Sequence, residues 1–218
     1  MGSGEWREKE KRRKSEVIVT MVCGNKLPRD FYLCDGLVAA EKLVGKVLVH
    51  DAPEGLTAGR IVELEAYMGE NDKGCHAYGG RRTARTEVMY GEGGHAYVYI
   101  IYGMYDCMNI IVNRTGVPHC IFLRALEPLE GISLMERRRG TDKLRRLCSG
   151  PGKLCMAMGI TRDLYGEDLC GNRMWLEDDG FRPEILRGRR VNIDYAEEAA
   201  AFNWRFAEKG SRFLSVKI

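Results

Sequence analysis

From Val62 to Tyr67 the chain reads Val62-Glu63-Leu64-Glu65-Ala66-Tyr67, apolar and polar or aromatic residues in strict alternation. A period of two is the signature of a strand, whose side chains point alternately to opposite faces. Val62, Leu64 and Ala66 therefore share one face, which belongs against a core. Glu63, Glu65 and Tyr67 share the other. That second face has two readings: a solvated polar surface, or a site built from two carboxylates and a phenol. Residues 68–95, which follow at once, hold seven glycines and many polar residues. A connection that long is commonly functional. A carboxylate at a strand end beside such a loop is well placed to activate a water.

The same reasoning extends along the chain. Asp35–Leu43 has helical spacing, Gly45 opens a strand over Lys46–His50, and Asp51–Gly55 is turn chemistry leading to a returning strand over Gly59–Tyr67. Ala96–Ile101 and Asp106–Val112 flank Tyr102-Gly103-Met104-Tyr105 and form a hairpin. Cys120–Ala125 is a further strand, Leu129–Arg139 and Leu154–Met158 are helical, and Glu184–Asp194 and Ser211–Ile218 supply late strands. Strands and helices mixed without βαβ regularity imply an α+β fold. Residues 1–16 read as a mixed-charge tail and 17–218 as one domain. No apolar run is long enough to span a bilayer, and the N-terminus lacks the apolar stretch of a secretory signal, so a cytoplasmic protein without membrane partners is expected.

Composition excludes some chemistry. The eight cysteines contain no C-x-x-C pair, which argues against a structural zinc or a cysteine-ligated cluster and for small buried residues. Ser149-Gly150-Pro151-Gly152-Lys153-Leu154 lacks the first glycine of a P-loop at the right spacing and has Leu154 where Ser or Thr belongs, so it reads as a turn capping a helix. Net charge is only +3, but Arg137, Arg138, Arg139, Lys143, Arg145 and Arg146 crowd into ten residues with Asp142 as the only acid. Smaller groups occur at Arg81, Arg82, Arg85 and at Arg187, Arg189, Arg190. Each is either a solvated face or a contact for phosphates. In the hairpin, Tyr97 by itself reads as packing. Tyr102 and Met104, at a turn, are hard to explain as core, and a wedge that enters a duplex and fills a vacated base position needs such residues.

Together these segments resemble the alkyladenine (3-methyladenine) DNA glycosylase family. The matching blocks are Gly59–Tyr67, Tyr97–Asn109, Leu123–Gly131 and Cys148–Cys155, spread in order along residues 27–216. The resemblance implies a single domain with a curved, mainly antiparallel sheet and a protruding hairpin. It implies a monofunctional enzyme without metal or cofactor, working as a monomer on duplex DNA that carries damaged purines, on the nucleoid or in the nucleus. Glu65 matches the general base. Arg124 and the backbone carbonyl of Val191 match the groups that hold the attacking water. Tyr67, His76 and Tyr99 match the walls that stack on the everted base, Asn109 the residue that rejects guanine's amino group, and Tyr102 the wedge, with Met104 beside it. Arg81, Arg85, Tyr105 and Lys153 fall where contacts to the DNA backbone belong. Ala84, Thr86, Phe122 and Asn192 depart from the family's usual Pro, Asn, Leu and Gly, which bears on the lesion range.

The implied chemistry is sound. N-glycosidic cleavage passes through a sugar cation that a buried anion stabilises, and alkylation at N3 or N7 makes the purine a cationic leaving group that needs little acid help. A lyase route would need an amine, and Lys153, the nearest, reads as structural or phosphate-contacting. Two other functions fit parts of the pattern. Glu63 and Glu65, about 6–7 Å apart by strand rise, could serve a glycoside hydrolase. The loop and hairpin could equally belong to a non-catalytic module that grips duplex DNA.

Overall fold

The alternating stretch is the second half of the longest strand in the computed structural model, which describes residues 24–218. The tail expected at 1–16 and the first residues of the expected domain lie outside the described residues. Along the chain run β1 (Asn25–Lys26), α1 (Arg29–Tyr32), α2 (Gly36–Leu43), β2 (Val47–Ala52), β3 (Gly55–Tyr67), β4 (Ala96–Ile101), β5 (Tyr105–Val112), β6 (His119–Glu130), α3 (Ile132–Arg139), α4 (Leu144–Leu147), α5 (Pro151–Met158), β7 (Met174–Asp178), β8 (Ile185–Gly188) and β9 (Arg205–Glu208). The strands form one antiparallel sheet, ordered β1-β7-β2-β3-β6-β5-β4, with β9 on β3 and β8 on β9. It does not close into a barrel, and with its helices it is the α+β domain expected.

β3 organises everything. One edge pairs with β6 from Ala58 to Tyr67. The other pairs with β2 as far as Arg60 and then with β9 at Glu63–Glu65, so the sheet changes partner at its centre. The β3–β6 register slips on both sides of Glu63. Such bulges sharpen twist and re-aim side chains, and here one corrects the simple alternation. Ile61 joins Leu64 and Ala66 in the main core, whereas Val62 packs in a separate cluster with Ala125 and Phe213. The extra residue has shifted the phase.

Helix placement follows local chemistry. Asp35 caps α2 by accepting the Leu37 N–H at 2.9 Å. Gly131 ends β6 and starts α3 at φ 71°, where a Cβ would lie 2.3 Å from the Leu56 carbonyl oxygen. This is why the helix expected over Leu129–Arg139 begins only at Ile132: Leu129 and Glu130 still belong to the sheet. The strand expected over Ser211–Ile218 is absent, and that segment runs as turns and coil. Its Ser215 N–H donates to the buried Glu63 carboxylate instead of to a neighbouring strand. The strand expected over Glu184–Asp194 is limited to Ile185–Gly188, and its partner β9 lies in a stretch that carried no strand pattern. Residues 68–95 fold as short 3₁₀ turns, among them Gly69–Asn71, Tyr78–Gly80 and Glu87–Tyr90. Among the described residues no helix is long and apolar enough to cross a membrane. The described cysteines are free, and five are buried.

Candidate active site

The carboxylates of β3 do not form a solvated face: Glu63 and Glu65 are both 0 % exposed. Their environments differ. Glu63 accepts from Arg124 Nε at 2.8 Å, Arg205 Nε at 2.9 Å, Ser215 Oγ at 2.9 Å and the Ser215 N–H at 2.5 Å. Three of these four fall on Oε1 and the Ser215 N–H alone falls on Oε2. Glu65 accepts the Val191 N–H at 2.8 Å on Oε1 and only the Tyr67 hydroxyl, at 3.0 Å, on Oε2, and Arg124 Nη1 forms an ion pair with Oε1 at 3.1 Å. Oε2 therefore keeps an acceptor position open. Burial pushes the Glu65 carboxyl above its ordinary range, opposed in turn by Arg124, the Val191 N–H and Tyr67. A carboxylate held ionised against that cost is a stronger base than an exposed one.

The partners of Glu65 line a cavity of about 650 Å³. Tyr67, Arg124 and Val191 cover the carboxylate. Around them stand His76, Tyr97, Tyr99, Asn109 and Phe122, with Asn192 and Tyr195 from the segment after β8 and Lys153 from the first turn of α5. β3, β4, β5 and β6 set these side chains out in register: Tyr97 pairs with Asn109, Asn109 with Phe122, and Phe122 with Glu65. Tyr99 lies nearly parallel to Phe122, with centroids 6.5 Å apart, and meets His76 edge-on at 4.8 Å. The Asn109 amide nitrogen is buried without a partner among the described residues. A buried donor left open is costly unless a ligand completes it.

His76 hydrogen-bonds the Tyr97 hydroxyl through Nδ1 at 2.8 Å. Burial, then the charges of Arg85 and Arg81, hold its imidazole down at about 4, so the ring is neutral at physiological pH. Tyr97, which reads in sequence as packing alone, is thus buried and part of the cavity wall. Asn192 has φ 59°, the left-handed region. Glycine adopts that conformation freely and asparagine is among the few other residues that tolerate it.

The hairpin tip presents its large side chains to solvent. Tyr102 (φ 52°) and Gly103 (φ 67°) make the turn, closed by the Met104 N–H to the Ile101 carbonyl at 3.1 Å. Tyr102 is 78 % exposed and Met104 70 %. Tyr105 packs on the first turn of α5, where a Cβ on Gly152 would lie 2.9 Å from that of Tyr105. The basic groups divide. Arg138 is engaged by the Ala157 carbonyl and Glu54, Arg139 by the Leu147 carbonyl, Arg82 by Glu87, Arg187 by Glu41, and Arg190 is fully buried on Asp72. The Arg85 guanidinium lies 4.8 Å from the centre of the Tyr99 ring. Lys143, Arg145 and Arg146 are exposed and, with Arg212, line a depression of about 430 Å³. Arg205, Ser215, Asp72 and Tyr195 had no signal in the sequence, because their partners are distant along the chain.

The geometry joins an aromatic-lined pocket to a buried carboxylate. Residues 30–212 match the methylpurine-DNA glycosylase family. A Clostridium acetobutylicum protein provisionally named 3-methyladenine DNA glycosylase is 50% identical over 202 residues, covering 88% of this chain and 98% of its own. A Methanocella arvoryzae protein of the same name is 49% identical over 193 residues, covering 88% and 96%. One from Desulfitobacterium hafniense is 44% identical over 201 residues, covering 88% and 99%. The chain belongs to the methylpurine-DNA glycosylase family. It is a DNA glycosylase, a hydrolase of N-glycosyl bonds whose substrate is DNA.

Proposed function

We propose that this enzyme excises alkylated and deaminated purines (3-methyladenine, 7-methylguanine, hypoxanthine and ethenoadenine) from duplex DNA, leaving an abasic site. The damaged nucleotide leaves the stack, Tyr102 takes its place, and the base enters between Tyr67 and the His76–Tyr99 wall. Stacking is worth roughly 1–3 kcal/mol per base. A poorly paired base also costs less to evert. Glu65 then takes a proton from one water as it attacks the anomeric carbon, while its charge stabilises the sugar cation. Arg124 and Val191 hold that water, and Asn109 reads the edge of the base. Lys153, Arg81, Arg85 and Tyr105 contact the strand around the everted nucleotide. The protein acts as a monomer on the nucleoid, in keeping with relatives from bacteria and an archaeon.

One observation carries this reading: of two equally buried carboxylates, Glu63 accepts four hydrogen bonds and Glu65 only two, and the three partners of Glu65 all line the aromatic cavity. It also weakens the glycoside hydrolase alternative, since two arginines and Ser215 already bind the Glu63 carboxylate. The test is a duplex with a single hypoxanthine or 7-methylguanine, scored for alkali-labile sites. The intact protein should cleave and Glu65→Gln should bind without cleaving. Binding without cleavage by the intact protein would leave only a gripping module.

A further inference from the structure

Arg190 reads in sequence as one of three arginines available to DNA, but the fold withdraws it. Its side chain and that of Asp72 are both 0 % exposed. Nη1 donates to Asp72 Oδ2 at 2.6 Å and to the Ala66 carbonyl at 3.1 Å. Nη2 donates to Asp72 Oδ1 at 2.8 Å and to the Ala199 carbonyl at 3.2 Å. The guanidinium carbon lies 4.6 Å from the centre of the Tyr67 ring and 5.0 Å from that of Trp204. Asp72 in turn accepts the N–H of Met68 at 3.1 Å and of Gly74 at 3.0 Å.

A buried ion pair is a poor device for stability, because desolvating both charges costs about what their attraction returns. The value of this pair lies in what it joins. Ala66, whose carbonyl it grips, stands between Glu65 and Tyr67. Val191, the next residue after Arg190, supplies the N–H on Glu65. Asp72 anchors the start of the loop that carries His76. The strand bearing the carboxylate, the loop bearing one wall, and the segment closing over Glu65 all meet at this guanidinium. It does not itself line the cavity, so it touches Tyr67 from behind.

We propose that Arg190, clamped by Asp72, is a positioning residue for base excision: it fixes the Tyr67 ring and the backbone on both sides of Glu65, setting the height of the everted purine relative to the carboxylate. The inference rests on Glu65 as the general base. A planar, bidentate guanidinium stacked between two rings is a role that lysine cannot fill.

Three proteins test it: Arg190→Lys, which keeps the charge but loses the fork and the stack; Trp204→Leu, which leaves the ion pair but removes the ring behind it; and the wild type. Each is assayed for its single-turnover excision rate at saturating enzyme, for affinity to a duplex carrying an abasic-site analogue, and for thermal unfolding. Misplacement by about 1 Å can cost on the order of 100-fold in rate. Arg190→Lys should approach that loss, and Trp204→Leu should lose about tenfold, while affinity for the analogue stays within about threefold. A rate per folded molecule equal to wild type in both variants, with only the unfolding temperature lowered, would overturn the proposal. If Arg190→Lys does not fold, Trp204→Leu decides alone. Excision that persists in Glu65→Gln would sink the Glu65 reading instead, so the two failures are distinct.

Discussion

Glu63 and Glu65, two residues apart on β3, share one guanidinium: Arg124 gives Nε to Glu63 at 2.8 Å and Nη1 to Glu65 at 3.1 Å. Equal in burial, the two carboxylates respond to substitution in opposite ways. Burial raises the Glu65 carboxyl, so the folded chain holds its proton more tightly than the unfolded chain does. Stability from that group is present at low pH and is lost as pH rises from the ordinary carboxylate range through the raised value. Glu65→Gln removes this loss. It should abolish excision yet unfold at or above the wild-type temperature at neutral pH, the difference closing below about pH 4. Glu63→Gln instead leaves Arg124 and Arg205 short of their counter-charge and should destabilise by about 3 kcal/mol. Thermal unfolding of both variants across pH checks this, and equal destabilisation by the two would refute it.

His76 makes a second pH prediction, of opposite sign. Burial and the neighbouring Arg85 and Arg81 lower its imidazole from 6.5 to about 4. The unfolded chain then takes up the proton first, so stability from this group is complete above 6.5 and drains away as pH falls toward 4. The imidazole signals in NMR should show His76 neutral through pH 5, and His76→Gln should flatten that segment of the stability curve. A ring that titrates near 6.5 would mean that the loop does not bury it in solution.

The contrast between these groups and their neighbours shows what was legible beforehand. The alternation of Val62–Tyr67 and the apolar runs flanking Tyr102-Gly103 are local patterns, and they placed β3, β4 and β5 closely. The bulge that sends Val62 away from Leu64 is not local: it follows from how β6 and β9 share the edges of β3. Arg205 and Ser215 stand 142 and 152 residues from Glu63, so no spacing rule reaches them. β9 is four residues long, Arg205-Phe206-Ala207-Glu208, too short for a period to declare itself. Among the basic clusters, sequence density could not separate Arg190, paired inside the fold, from Arg145 and Arg146, which face solvent.

Tyr102 should matter to DNA and not to the fold. Its side chain is largely exposed at a turn of positive φ, so Tyr102→Asn, which suits that conformation, should change stability by less than about 0.5 kcal/mol. Excision from a fully paired duplex should fall by on the order of tenfold or more, because nothing then fills the gap left by the everted base. With the lesion opposite an abasic gap, where eversion is already cheap, the two proteins should converge. A uniform loss on both substrates would assign Tyr102 to general binding.

Salt dependence distinguishes the free cations from the engaged ones. Each phosphate contact on duplex DNA contributes about 0.9 to the slope of log affinity against log salt. Lys143, Arg145, Arg146 and Arg212 surround one depression and make no ion pair among the described residues. Arg139, which follows Arg138 at the end of α3, lines the main cavity, as do Ser215 and Val216, close in sequence to Arg212. Replacing Arg145 and Arg146 together with Gln should lower the slope by about 2 if each meets one phosphate, with the excision rate at saturating enzyme unchanged. Arg138→Gln should leave the slope as it is and lower the unfolding temperature, since that side chain ties α3 to the Ala157 carbonyl and Glu54. Binding titrations at several salt concentrations separate the two, and a slope unmoved by the double substitution would place the DNA on another face.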